Sequence, residues 1–136
     1  MDDRIIQLTR ELGKELQQDD RYIAYTLAKQ VNDEDAELQS EITHFDELRA
    51  EMRTVMSSEN PDFDRINTID KETQALYQKI MNNPHMIVFN ATQKALEELV
   101  SNMNQIITMC ANGQNPETCE IKRGCSGDCT ACGGCN

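Results

Sequence analysis

Six cysteines fall within the last twenty-seven residues of the chain: Cys110, Cys119, Cys125, Cys129, Cys132 and Cys135. The last four form a C-x3-C-x2-C-x2-C run only eleven residues long. Five of the six glycines share this stretch and none of the aromatics does, so it cannot bury an apolar core of its own. Four soft thiolates on a short, irregular, glycine-rich backbone suit the tetrahedral corners of a [4Fe–4S] cubane. The bacterial ferredoxin run, C-x2-C-x2-C-x3-C, has these gaps in reverse order. Reversal does not transfer the ferredoxin fold, but it shows that such gaps span a cluster.

Structural zinc competes for the same thiolates, although it usually takes two C-x2-C pairs separated by a longer loop. A third reading is a tail of redox-labile thiols without a metal. On either metal reading the ligands are Cys125, Cys129, Cys132 and Cys135. Cys110 continues the apolar seam of the preceding helix and reads as a small core residue. Cys119 stands between a spare ligand and a redox partner.

The remaining chemistry is sparse. Glu41-Ile-Thr-His44 matches half of a di-iron carboxylate motif, but that site needs a second copy and two further inward glutamates. His85 has Asn82 where the partner glutamate would stand. His44 therefore reads as a surface histidine. Asp33-Glu-Asp35 resembles the start of a calcium loop, yet Leu38 occupies the position that requires glycine. The three acids fit a helix N-terminus better. Tyr22 and Tyr25 read as packing residues. No nucleophile elbow, phosphate loop or dinucleotide fingerprint is present, so nothing supports an enzyme.

Helices must carry this tail. Glycine and proline are nearly absent before residue 112, which disfavours an all-β fold. Ile5, Leu8, Leu12 and Leu16 mark a helix over about residues 3–17. Asp19-Asp20 caps a second, with Ile23, Leu27 and Val31 on its apolar face. Asn32-Asp33 offers the next cap, for a helix running to about Ser57. Its seam is Leu38, Ile42, Phe45, Leu48, Met52 and Val55, close to coiled-coil spacing. Asn60-Pro61 opens a helix over about 62–82, with Ile66, Ile69, Thr73, Leu76 and Ile80 on one face. Asn83-Pro84 opens the last, about 84–111, with Phe89, Thr92, Leu96, Leu99, Met103, Ile106 and Cys110. That helix carries only Lys94, Glu97 and Glu98 as charges, which places it centrally or against a second subunit.

The expected fold is all-α: an elongated antiparallel bundle of four to five helices, oligomeric, with an irregular Cys/Gly-rich tail. Residues 1–111 form the bundle domain and 112–136 a metal-binding tail. A net charge of −11 repels nucleic-acid phosphate and favours protein partners. No apolar run approaches the roughly 20 residues of a membrane helix, and Met1-Asp-Asp-Arg does not read as a signal peptide. A cytoplasmic location follows, where clustered thiols read as metal ligands before disulfides.

Over most of residues 3–111 the chain resembles the YlbF/YmcA family of small helical bacterial regulators. Tyr22, Tyr25, Ala28, Asp33-Glu34, Ala36, Leu38 and Phe45 carry the likeness. So do Asn60-Pro61-Asp62-Phe63 and, in the last helix, Phe89, Ala95, Leu99, Asn104 and Ile107. YlbF-type members also end in a Cys- and Gly-rich segment. The resemblance implies a non-enzymatic role in a complex with YmcA-like and YaaT-like partners that carries [4Fe–4S] clusters. That complex modulates RNase Y-dependent mRNA processing, and through it competence, sporulation and biofilm formation. The family's cluster cysteines fall on Cys125, Cys129, Cys132 and Cys135. Cys110 and Cys119 depart from the pattern.

Overall fold

The computed structural model describes residues 3–122. Five helices follow one another: α1 (Arg4–Leu16), α2 (Asp20–Glu34), α3 (Ala36–Met56), α4 (Phe63–Met81) and α5 (Pro84–Ala111). No strand occurs among the described residues, as an all-α fold requires. The chain divides into two compact units, Met1–Leu96 and Glu97–Asn136, and α5 runs through the boundary.

In the first unit α3 and α4 form an antiparallel pair. Arg65 Nε donates to Glu51 Oε1 at 2.7 Å beside the connecting loop. Further along, the Phe45 and Tyr77 rings lie 6.0 Å apart, and Lys79 Nζ meets Glu41 at 3.1 Å near the other end. The apolar positions read from the sequence are the ones that pack. Leu38 and Leu48 of α3 are buried with Ile69 and Ile80 of α4, and Ile42, Phe45, Met52, Val55, Ile66, Thr73 and Leu76 are half-buried around them. Leu38 and Ile69 are fully enclosed. Burying such a side chain contributes roughly 1.5–3 kcal/mol, against about 1 kcal/mol for an ion pair that keeps at least one partner open to solvent. The seam, not the ion pairs at its edges, holds α3 on α4.

The helix starts depart from the sequence reading at two places. α3 is capped by Asp35, not by Asn32-Asp33: Asp35 Oδ1 accepts from the Leu38 N–H at 3.0 Å. Asn32 stays inside α2 and is buried, because Gln39 Nε2 donates both to its carbonyl oxygen (2.9 Å) and to its Oδ1 (3.0 Å). α4 is capped by Asp62, whose Oδ1 accepts from Arg65 N at 3.1 Å, so Asn60-Pro61 lies in the loop before it. A carboxylate cap satisfies an orphan N–H and also favours the positive end of the helix. Asp19 caps α2 and Asn83 caps α5, as expected.

The packed face of α2 also differs. Ala28 and Asn32 are buried and Tyr22 and Tyr25 half-buried, whereas Ile23, Leu27 and Val31 point outward. The small Ala28 sits on the packed face, and the Tyr25 ring meets Phe89 at 5.7 Å.

α5 is fixed at its beginning. Asn83 Oδ1 accepts from His85 N at 2.8 Å, while Asn83 Nδ2 donates to Asp35 Oδ2 at 3.3 Å. His85 Nδ1 lies 3.0 Å from the same carboxylate oxygen. Asn32 Nδ2 reaches Met86 Sδ at 3.5 Å, and Asn90 Nδ2 reaches Met81 Sδ at 3.8 Å. No residue of α5 is buried, and Phe89, Thr92, Leu96, Leu99, Met103, Ile106 and Cys110 are half-buried. No helix among the described residues is long and apolar enough to cross a membrane.

Candidate functional site

The second unit holds the end of α5 and the approach to the cysteine run. α5 stops in a Schellman motif. Gly113 takes the left-handed conformation (φ 89°), its N–H donates to Cys110 O at 3.0 Å, and Gln114 N donates to Met109 O at 3.0 Å. Only glycine adopts that φ without steric cost, so the stop seen at Ala111-Asn-Gly113 is enforced by the backbone. A second turn follows at once. Asn115 Oδ1 accepts from Glu117 N at 2.9 Å, and Asn115 O accepts from Cys119 N at 2.9 Å. The Cys119 thiol lies 3.7 Å from Pro116 O, a weak sulfur contact.

After these two turns the chain comes back to the flank of α5. Lys122 N donates to Gln105 Oε1 at 3.1 Å. Half-buried Ile121 precedes this anchor, and only Arg123 and Gly124 separate Lys122 from Cys125 in the sequence. The cysteine run is thus joined to a fixed point on a helix.

The four expected ligands, Cys125, Cys129, Cys132 and Cys135, lie outside the described residues. Their donor set, four thiolates in a short run, fits a cubane cluster or a tetrahedral zinc ion. Cys110 and Cys119 are free and half-buried, so Cys110 is less enclosed than a core residue. Among the described residues no group of three or more His, Cys, Asp or Glu is placed to hold a metal ion.

The other residues singled out above make ion pairs and hydrogen bonds with nearby side chains. His44 is exposed, with Nδ1 3.9 Å from Glu47 Oε2, while Glu41 of the di-iron half-motif pairs with Lys79. Asp33 pairs with Lys29 at 2.9 Å along α2. Hydrogen bonding from Leu38 N–H, then from His85, holds the Asp35 carboxyl below its ordinary range. Gln105 and Asn115 escaped the sequence reading, because an amide on a helix and one in a loop carry no local sign of the turn they hold.

The helical body decides the family. Residues 5–110 match the family described as control of competence regulator ComK, YlbF/YmcA. The chain belongs to that family. Its matched region begins within α1 and ends at Cys110, in the last turn of α5, so the cysteine run follows the family's helical body. Searches of curated proteins and of solved structures returned no match.

Proposed function

We propose that the protein is a non-enzymatic cytoplasmic adaptor whose tail carries a [4Fe–4S] centre on Cys125, Cys129, Cys132 and Cys135. In this reading it assembles with YmcA-like and YaaT-like partners, and the complex modulates RNase Y-dependent mRNA processing. Competence, sporulation and biofilm formation are controlled through that step. Membership of a competence-control family carries the regulatory half of the proposal. The four-thiolate run carries the cofactor half.

The tail's composition explains how such a protein could respond to its surroundings. Five of the chain's six glycines and no aromatic fall in this stretch, so a centre shared by its thiolates would contribute folding free energy that its apolar content does not supply. An iron–sulfur centre would supply sensitivity to oxygen and to iron supply. The residues of the chain do the rest: Gly113 ends the helix, Asn115 turns the backbone, and Gln105 holds it at Lys122. A partner surface then completes the shield that the tail lacks.

The same donor set supports a second reading, a zinc-stabilised interaction module with no redox role. Anaerobic binding assays against the two partner types test the first reading. Changing Cys129 and Cys132 to Ser is expected to abolish assembly, and unchanged assembly would overturn it.

A further inference from the structure

The two histidines of the chain are built differently. His85 Nδ1 lies 3.0 Å from Asp35 Oδ2, and the His85 side chain is 49% exposed. The Asp35 carboxyl is held below its ordinary range, so at neutral pH it is ionised and can only accept. The ring nitrogen facing it must carry the proton. In the neutral ring this leaves Nε2 with a bare lone pair. No described residue bonds that nitrogen. His44 has access without this arrangement. Its side chain is 56% exposed, and Nδ1 lies 3.9 Å from Glu47 Oε2, beyond hydrogen-bond reach.

The geometry points to His85 Nε2 as a site that accepts a phosphoryl group from a phosphoramidate donor, with Asp35 as its positioning residue. A nitrogen fixed in this way can serve as a metal ligand, a base or a nucleophile. A metal needs further ligands, and among the described residues no group of three or more His, Cys, Asp or Glu is placed to hold one. A base needs a substrate beside it, and the open groove on α3 and α4 is lined by His44, Glu72, Ala75, Leu76 and Lys79 rather than by His85. A nucleophile needs a free lone pair, access from solvent and a group that stabilises the charge formed on the ring. His85 and Asp35 supply all three.

The pair is also held in place. The other Asp35 oxygen accepts from Leu38 N at 3.0 Å, Asn83 Nδ2 donates to Oδ2 at 3.3 Å, and Asn83 Oδ1 accepts from His85 N at 2.8 Å. In the transfer the Nε2 lone pair forms a new N–P bond while the donor's own P–N bond breaks. The bonding pair leaves on the donor nitrogen, which is already protonated in phosphoramidate and departs as ammonia. Nothing is oxidised or reduced. Nδ1 keeps its hydrogen, and the positive charge of the ring faces the Asp35 carboxylate, as the carboxylate of a Ser-His-Asp triad faces its imidazolium. The first turn of α5 holds no acid, so the added phosphoryl charge meets the positive end of that helix.

The inference does not depend on the tail centre, and its test needs no metal. Full-length protein is incubated with potassium phosphoramidate, and labelling of each histidine is followed by phosphorus NMR and by peptide mass spectrometry without acid. His85 is expected to be labelled faster than His44 by on the order of 10-fold or more. Asp35→Asn keeps an oxygen for Leu38 N and turns an amide N–H toward His85, which moves the ring hydrogen to Nε2. That variant is expected to bring His85 down to the rate of His44, with imidazole nitrogen shifts that report the opposite tautomer. His85→Gln is expected to lose the fast site and keep the slow one. Far-UV circular dichroism checks that both variants stay helical. Wild-type protein in which His85 is unlabelled, or labelled no faster than His44, overturns the inference. So does an Asp35→Asn protein that keeps the fast site, or a wild-type ring whose nitrogen shifts place the hydrogen on Nε2.

Discussion

His85 Nδ1 lies 3.0 Å from Asp35 Oδ2, across fifty residues of sequence. One carboxylate therefore serves two helix starts, capping α3 through its other oxygen and receiving both His85 and Asn83 from the beginning of α5. Asp35→Ala is expected to lower the melting temperature and to speed amide exchange at Leu38. It should also loosen the first turn of α5. Asp35→Asn keeps a capping oxygen and is expected to fall between wild type and alanine. Exchange mass spectrometry with thermal unfolding checks both, and an unchanged α5 start in Asp35→Ala would contradict the bridge.

The same carboxylate sets a pH dependence. Its folded pKa lies below the ordinary carboxylate value of about 4, through the Leu38 N–H first and His85 second. Its contribution is therefore fully present above about pH 4 and lost as pH falls through the lowered value. Asp19, lowered to about 2 by hydrogen bonds from Arg21, acts with the same sign over the window from about 4 to about 2. Melting temperature measured from pH 6 down to pH 2 is expected to decline below about pH 4, and less steeply in Asp35→Asn.

The α3–α4 seam should dominate the stability of the first unit. Leu38→Ala and Ile69→Ala remove fully enclosed side chains and are expected to cost roughly 2–5 kcal/mol each in urea unfolding. Phe63→Ala, at an exposed position, is expected to cost under about 0.5 kcal/mol. Equal losses at enclosed and exposed positions would contradict this packing.

Gly113 offers a test confined to the second unit. A side chain there meets no atom within 4 Å, so the cost is conformational. Gly113→Ala is expected to destabilise the left-handed turn by about 1–2 kcal/mol. The amides of Gly113 and Gln114 should then exchange faster, while Leu38 and Ile69 stay protected.

Much of this fold was legible because α3 and α4 obey a simple rule. Large aliphatic residues at three- and four-residue steps pack on a partner helix, and Leu38 through Val55 did so. α2 broke the rule. Its strongest apolar stripe, Ile23-Leu27-Val31, faces outward, and the weaker set of Tyr22, Tyr25, Ala28 and Asn32 packs inside. Hydrophobicity alone cannot foresee that, because Asn32 is buried only when Gln39, seven residues on, satisfies its amide. The caps at Asp35 and Asp62 were missed by a few residues for a related reason. Several Asn and Asp residues compete at each junction, and the one whose side chain reaches the third helical N–H prevails. In the second unit the glycine stop was readable. The Gln105–Lys122 anchor was not, since its two residues are linked only after the chain has turned twice.

The terminal thiolates are proposed to hold an iron–sulfur centre. Iron, acid-labile sulfide and zinc measured together on anaerobically purified full-length protein test it most directly. Iron and sulfide in equal amounts, lost together when Cys129 and Cys132 are changed to Ser, is the predicted result. Protein that carries zinc in their place, or no metal at all, contradicts it.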